Sequence, residues 1–359
     1  MRDPVQFIKE EVRTLEPYSL VSQRARIKLN QNENAWETPQ EIKEETLKRL
    51  GARVWSRYPG LRTSDLHERL AEFSGWKPEG VIAGNGSNEL IQAVLMVTAG
   101  KGRRVVINEP TFALYKQIST VLESEVVSVS LTDNLTYDLN ALRRSINTVQ
   151  PSVTIICSPN NPTGCIIEQS DLISLLEETH GLVVVDEAYF EFSGQSVVPL
   201  LEKHSNLVVL RTFSKAMAMA ALRIGYLIAA PEVVKEISKA VLPYNLNVVS
   251  QTAAEVAMEM YETTLACLVE LICNERERVY SELQKIRDLD PVQSRANFML
   301  IRSELPVKHV FNELRRRDIL VRDISSYPRL QDYFRISVGT PEENDALLAA
   351  LREITRDYE

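Results

Sequence analysis

Three stretches decide the fold: VTIICSPNNPTG (153–164), LVVVDEAYFEF (182–192) and LVVLRTFSKAMAMAALRIGYLIA (207–229). Each opens on a short apolar run, dense in β-branched residues and not strictly alternating, as expected of a strand covered on both faces. Each run ends on polar side chains, and in open α/β sheets ligands bind just beyond the carboxyl ends of the strands. Working outward, VVIN (105–108), VVSVS (126–130) and IGYLIA (224–229) read as further strands. Between them, DLNALRRSI (138–146) and DLISLLEETH (171–180) repeat apolar residues at helical spacing behind an aspartate that can cap. Strand alternating with helix predicts a mostly parallel central sheet.

After Pro243 the texture changes. A helical stretch from about Val249 to Ile286 leads to NFMLI (297–301), a helix near VKHVFNELRRRD, strands in ILVRD and YFRISVG, and a last helix from Pro341. The expected division is a large α/β domain over 50–245 and a smaller α+β domain over 246–359. An N-terminal arm over 1–49 accompanies the smaller domain and contains the extended segment KLNQNENAWETP.

With 359 residues, 44% hydrophobic and 25% charged, the chain has ordinary globular usage, which argues against disorder and coiled coil. A formal net charge of −8 argues against a nucleic-acid binder. Cys157, Cys165, Cys267 and Cys273 show no CxxC spacing and the four histidines stand apart, so neither a zinc site nor a disulfide framework is suggested. Reduced thiols fit a cytoplasmic setting. The first residues, MRDPVQFIKEEVR, carry charge and no apolar signal core, and no run approaches a membrane span.

Four constellations carry chemistry. Lys215 follows a buried strand, with Thr212, Ser214 and Arg223 nearby in sequence. A lone lysine there reads as a surface cation, but hydroxyls and a guanidinium on such a connection can converge on a phosphate, and a lysine beside a phosphate-bearing aldehyde can form a Schiff base. Asp186, at the end of its strand, reads either as a helix cap or as the partner that keeps a pyridinium nitrogen protonated. That protonated ring is the electron sink of pyridoxal phosphate chemistry. Tyr189 is either core packing or a donor to the ring's phenolic oxygen, which the Asn161 amide of SPNNPTG could also reach. In AGNGSNELI (83–91), Glu89 occupies the third glycine position of a dinucleotide fingerprint, so the better reading is a helix start whose Gly86, Ser87 and Asn88 amides face a phosphate. Phe112 in EPTFALY is core filling or a ring-stacking face. Arg335 in DYFRISVG is a solvated strand residue or, in a cleft, a planar fork for a substrate carboxylate, with Arg322 as a second basic candidate.

Together these motifs resemble the fold-type I pyridoxal-phosphate aminotransferases, most closely the histidinol-phosphate aminotransferases. The resemblance runs in order through NENAW, RYPG, GNGSNE, PTFALY, SPNNPTG, DEAYFEF, RTFSKA with LRIGY, PYNLN, NFML, LVRDIS and FRISVGTPEEN. It implies that Lys215 carries the cofactor and that Asp186 pairs with its ring nitrogen. Asn161 and Tyr189 would hold the ring oxygen, Phe112 would stack, and Ser87, Asn88, Thr212, Ser214 and Arg223 would surround the phosphate. Tyr58 would reach the neighbouring subunit's cofactor in a homodimer. Arg335 would bind an acidic group of the substrate, Arg322 and Tyr18 the phosphate end of histidinol phosphate, and Asn34 would lie near the substrate.

Some positions differ from the usual family spelling. Asn88 replaces a common Asp and Phe112 a common Tyr, PYSL lacks the usual Pro-Gly after its tyrosine, and Ala218 and Ala221 replace glycines, which would stiffen a helix after Lys215. The implied reaction is a ping-pong transamination of L-histidinol phosphate with 2-oxoglutarate, giving imidazole-acetol phosphate and L-glutamate in histidine biosynthesis. A threonine-phosphate decarboxylase and an aromatic amino acid aminotransferase are the neighbouring readings, and a non-catalytic binding protein on the same scaffold the more distant one.

Overall fold

A computed structural model of the chain describes residues 3–17, 25–59 and 64–358. Tyr18, expected at the substrate, lies outside the described residues. The arm contributes strand β1 (Ile27–Lys28), and the next seven strands are β2 (Val81–Gly84), β3 (Arg104–Glu109), β4 (Glu125–Ser130), β5 (Val153–Cys157), β6 (Leu182–Asp186), β7 (Leu207–Thr212) and β8 (Gly225–Ala229). Strands β2 to β8 form one sheet in the order β2-β8-β7-β6-β5-β3-β4. Only β8 runs antiparallel to its neighbours; the other pairs are parallel. Six of these strands lie on the apolar runs, while β2 escapes the pattern because VIAG is short and ends on small residues.

Both faces of the sheet are covered, and alternation along the strands decides what each face carries. Val183 and Val185 of β6 join one apolar cluster and Val184 joins the other. Asp186 continues the Val184 face, and Glu187 continues the opposite one. The same alternation on β7 puts Thr212 with Val208 and Leu210, and sends Arg211 to the other side with Val209. Groups with different tasks are thus sorted by the period-2 geometry of two adjacent strands. The buried Arg211 guanidinium bonds Glu187 at 2.9 Å and Ser196 at 2.6 Å, clamping the ends of β6 and β7 from behind.

Five strands lie in the C-terminal part: β9 (Leu289–Pro291), β10 (Phe298–Ser303), β11 (Ile319–Leu320), β12 (Arg322–Asp323) and β13 (Tyr333–Ser337). Four of them make an antiparallel sheet in the order β12-β13-β10-β9, and β11 pairs in parallel with β1 of the arm. Register sets Arg322 directly opposite Arg335. The last helix, Pro341–Arg356, starts on a capping box between Thr340 and Glu343.

Ile42 of helix Gln40–Ala52 and Ala253, Ala254, Val256, Ala257 and Leu265 belong to the core under the large sheet, whereas Ile27, Leu29 and Val279 onward belong to the second core. The expected helix over 249–286 is interrupted: Val248–Glu259 and Ala266–Leu283 are joined by a wide turn at Tyr261–Leu265. The first half follows the large core; the second passes from Val269 and Ile272, clustered with Tyr189 and Phe298, to Val279 and Leu283 of the second core. Among the described residues, no helix is long and apolar enough to cross a membrane.

Candidate active site

The carboxyl ends of β5, β6 and β7 open onto a cavity of about 400 Å³, closed by the arm segment Asn30–Glu33 and by Arg322, Ile324, Tyr327 and Arg335 of the small domain. One end of it is built to hold an anion. Helix Ser87–Thr98 starts on Gly86, whose φ of 79° lies in the left-handed region, and Ser87 and Asn88 line the cavity at its first turn. Thr212, Ser214 and Arg223 converge from the other side: Arg223 Nη1 donates to Ser214 Oγ at 3.2 Å, and the Thr212 and Ser214 hydroxyls lie 3.0 Å apart. Glu89 explains why the dinucleotide reading fails, since its carboxylate accepts from Asn85 N–H at 2.6 Å and from the Asn245 amide at 2.8 Å, tying down the loop before the helix.

The cup depends on a close approach of two backbones. A Cβ on Gly225 would lie 2.3 Å from the Ser87 nitrogen and 2.6 Å from the Gly86 carbonyl carbon. Gly225→Ala should therefore displace the helix start and weaken phosphate binding about tenfold or more, the loss of one charge-assisted hydrogen bond. Titration of the variant with pyridoxal 5′-phosphate, against pyridoxal without the phosphate, checks this; only the former should lose affinity.

Lys215 lines the same cavity. Its Nζ donates to the Gln31 carbonyl at 3.2 Å and lies 5.9 Å from the Tyr189 ring centroid. Burial, then the neighbouring Arg335, pushes the amine down to about 8. The segment after it is not the expected helix. It turns irregularly into a short 3₁₀ turn at Ala220–Leu222, and Ala218 itself has φ 55°. An alanine in the left-handed region is a backbone cost, so Ala218 does not stiffen a helix there.

Asp186 is buried. Its Oδ2 accepts from the Tyr115 hydroxyl at 2.7 Å and its Oδ1 from the Ala188 N–H at 3.0 Å. Burial raises the carboxyl to about 6, partly offset by the Tyr115 and Ala188 donors. It stays ionised at neutral pH and is set to oppose a cation in the cavity. Phe112 lines the cavity and meets Tyr115 edge to face, with centroids 5.5 Å apart.

The third wall is a polar web. The Tyr189 hydroxyl accepts from Asn32 Nδ2 at 3.1 Å and from Asn161 Nδ2 at 3.4 Å. Arg335 donates to Asn161 Oδ1 at 2.6 Å and to the Asn30 carbonyl at 2.9 Å, and Arg322 lies beside it in the lining. Asn32 holds a left-handed φ of 53°, is buried, and takes a hydrogen bond from Asn297 on its carbonyl while its N–H donates to Ser337 Oγ. The arm is thus fastened between both domains at the point where Lys215 and Tyr189 meet.

Lys215, Asp186, Tyr189, Asn161, Phe112, Ser87, Asn88, Thr212, Ser214, Arg223, Arg335 and Arg322 all line this one cavity, with Gly86 just behind the cup. Asn34 does not. Its amide donates to the Lys215 and Ala216 carbonyls, bracing the lysine's backbone from outside, because the arm turns so that Asn30 to Glu33 face inward instead. Tyr58 is also remote: it is 80% exposed and stacks on Tyr244 at 4.5 Å. Tyr115 and Asn32 went unnoticed in the sequence. The i, i+3 spacing of Phe112 and Tyr115 in PTFALY was a signal for the first; nothing local marks the second.

The donor set fits pyridoxal phosphate: an anion cup, a buried carboxylate and an amine all line one cavity. The chain belongs to the class I and II aminotransferase family, whose model matches residues 24–351. It is similar to histidinol-phosphate aminotransferase 1 of Carboxydothermus hydrogenoformans, at 42% identity over 97% of this chain and 98% of that one. The histidinol-phosphate aminotransferase of Chlorobium phaeobacteroides is 39% identical, with 98% of each chain covered. In fold it matches the histidinol-phosphate aminotransferase of Sinorhizobium meliloti, solved in complex with pyridoxal-5′-phosphate, with a TM-score of 0.87 at 21% identity over 98% of both chains.

Proposed function

We propose that this chain is a pyridoxal-phosphate-dependent transaminase that moves the amino group of L-histidinol phosphate to 2-oxoglutarate. One observation carries the reading: the Lys215 amine, the Asp186 carboxylate, the phosphate cup and the Arg335–Arg322 pair all face one cavity. The names of the relatives at 42% and 39% identity support the choice of substrate.

Bound pyridoxal phosphate would supply an aldehyde that joins an amine and a protonated ring that draws electrons from the bond broken at the amino carbon. The chain's residues do the rest. Ser87, Asn88, Thr212, Ser214 and Arg223 hold the phosphate. Asp186 keeps a positive charge on the ring nitrogen by opposing it in a buried setting. Lys215 Nζ would take the proton from the substrate's amino carbon, a task for the neutral amine, and hold it at Nζ as the ammonium. Tyr189 and Asn161 orient the ring oxygen. Arg335 takes the acidic group of each substrate in turn, and Arg322 beside it adds a second positive charge suited to a phosphate dianion.

The exposed apolar surface formed by Val54, Trp55 and Leu242 and the stacked Tyr58–Tyr244 pair supports a homodimer in which Tyr58 reaches the second active site. Four free cysteines support a reducing, cytoplasmic compartment.

The lowered pKa of Lys215 sets the pH dependence of cofactor capture. About a tenth of the amine is neutral at pH 7 and about half at pH 8, given a value near 8. Capture of pyridoxal 5′-phosphate by cofactor-free protein should accelerate as pH rises through about 8 and then level off. Stopped-flow absorbance over a pH series checks this; a rate still climbing at the ordinary lysine value would contradict it.

The substrate assignment is tested by assaying the loaded enzyme with 2-oxoglutarate and, in turn, histidinol phosphate, phenylalanine, tyrosine and threonine phosphate. Histidinol phosphate should give the highest kcat/KM, and glutamate alone should convert the bound cofactor to its amine form. A better donor among the other three, or carbon dioxide release from threonine phosphate, would sink the assignment.

A further inference from the structure

We infer that Tyr115 is a positioning residue for Asp186: its hydroxyl holds the carboxylate ionised and aimed along the cavity before any cation arrives there. This deepens the proposal above and rests on its reading of the cavity as a pyridoxal phosphate site.

Tyr115 is fully buried on helix Leu114–Val121, which four elements separate from β6 in sequence, yet its Oη meets Asp186 Oδ2 at 2.7 Å. A phenylalanine would fill the same volume. The hydroxyl adds a donor that must find a partner once buried, and the partner it finds is the carboxylate. The influences that keep Asp186 acidic are this hydroxyl and the Ala188 N–H, not a lysine or arginine. Each takes one carboxylate oxygen, which fixes the plane of the group and leaves the remaining lone pairs toward the cavity that Asp186 lines.

The donor is itself held in place. Phe112 meets the Tyr115 ring edge to face at 81°, so one residue of the cavity lining orients the other beside it. The Cys157 thiol also faces the hydroxyl, but sulfur is a weak acceptor and does not compete with a carboxylate. Without the hydroxyl, Asp186 would keep a single donor in an apolar setting, and a shared proton would move from a ring nitrogen toward the carboxylate.

A ligand pair isolates this effect. Full-length cofactor-free protein is titrated with pyridoxal 5′-phosphate and with its 1-deaza analogue, in which carbon replaces the ring nitrogen. Wild-type protein should prefer the natural cofactor. In Tyr115→Phe that preference should shrink by about tenfold, the worth of one hydrogen bond to a charged group. A purely structural role would weaken both ligands alike. The second variant carries 3-fluorotyrosine at position 115, a near-isosteric and stronger donor; there the preference should widen, and it decides the matter alone if Tyr115→Phe does not fold. A preference unchanged in the variants that fold would overturn the inference and leave the proposed function standing. Wild-type protein that binds neither ligand would overturn both.

Discussion

Lys215→Ala should lower turnover at least about a thousandfold, because it removes the proton-transferring base and the covalent anchor together. Among the described residues, no other lysine lines the cavity. Lys28, which also bears on Lys215 electrostatically, is ion-paired with Glu33 at 2.6 Å. The fold should survive, since the Lys215 side chain stands in the cavity and its backbone remains braced by Asn34. The measurement has two parts. Steady-state rates with histidinol phosphate give the loss, and borohydride reduction followed by peptide mapping should tag residue 215 in the wild type and leave the variant untagged. Turnover within about tenfold of wild type, less than the usual worth of a general base, would remove Lys215 from the chemistry.

Asp186→Asn should cost about a hundred- to a thousandfold in the first half-reaction, the scale seen when a preorganised charge facing the reacting system is neutralised. The two side chains have nearly the same shape; the asparagine oxygen can keep the Ala188 N–H bond while its NH2 donates to the Tyr115 hydroxyl, so the contacts stay and the charge is lost. Lys215 is intact in this variant, so covalent capture should continue while proton removal from the donor slows. Stopped-flow spectra with glutamate separate those two events. A variant that captures cofactor normally and reacts at the wild-type rate would show that the carboxylate has no ionic partner in the cavity. Because Tyr115 acts through Asp186, adding Tyr115→Phe to Asp186→Asn should have almost no further effect, the non-additivity expected of residues in contact.

The positions of Asn161, Asp186 and Lys215 were legible from the sequence for one reason. Each follows an apolar run that can only be a buried strand, and chain ends of parallel strands gather at one edge of a sheet. Glycine placement was legible in part: Gly86 stands at a helix start, but that Gly225 lies against that start depends on β8 crossing beside β2, which no local pattern states. The helix expected after Lys215 is absent because the loop must turn back to present Arg223, with both Ala218 and Arg223 in the left-handed region. The arm turns at Asn32, which holds a left-handed φ, and carries the Asn34 amide onto the Lys215 backbone, a placement that no local pattern states.

By itself the sequence determined the alternation of strand and helix, the strand ends that carry polar groups, and the chemical types of those groups. These follow from short-range physics: hydrophobic periodicity, β-branching and the stereochemistry of glycine and proline act within a few residues. Only the tertiary structure decided that Arg335, 120 residues beyond Lys215, shares its cavity, that Tyr115 secures Asp186, and that the arm laces the two cores together through Asn32. Those contacts join segments far apart in the chain. Each depends on sheet order and on the seating of one core against the other, which the summed burial of many side chains sets and no single stretch encodes.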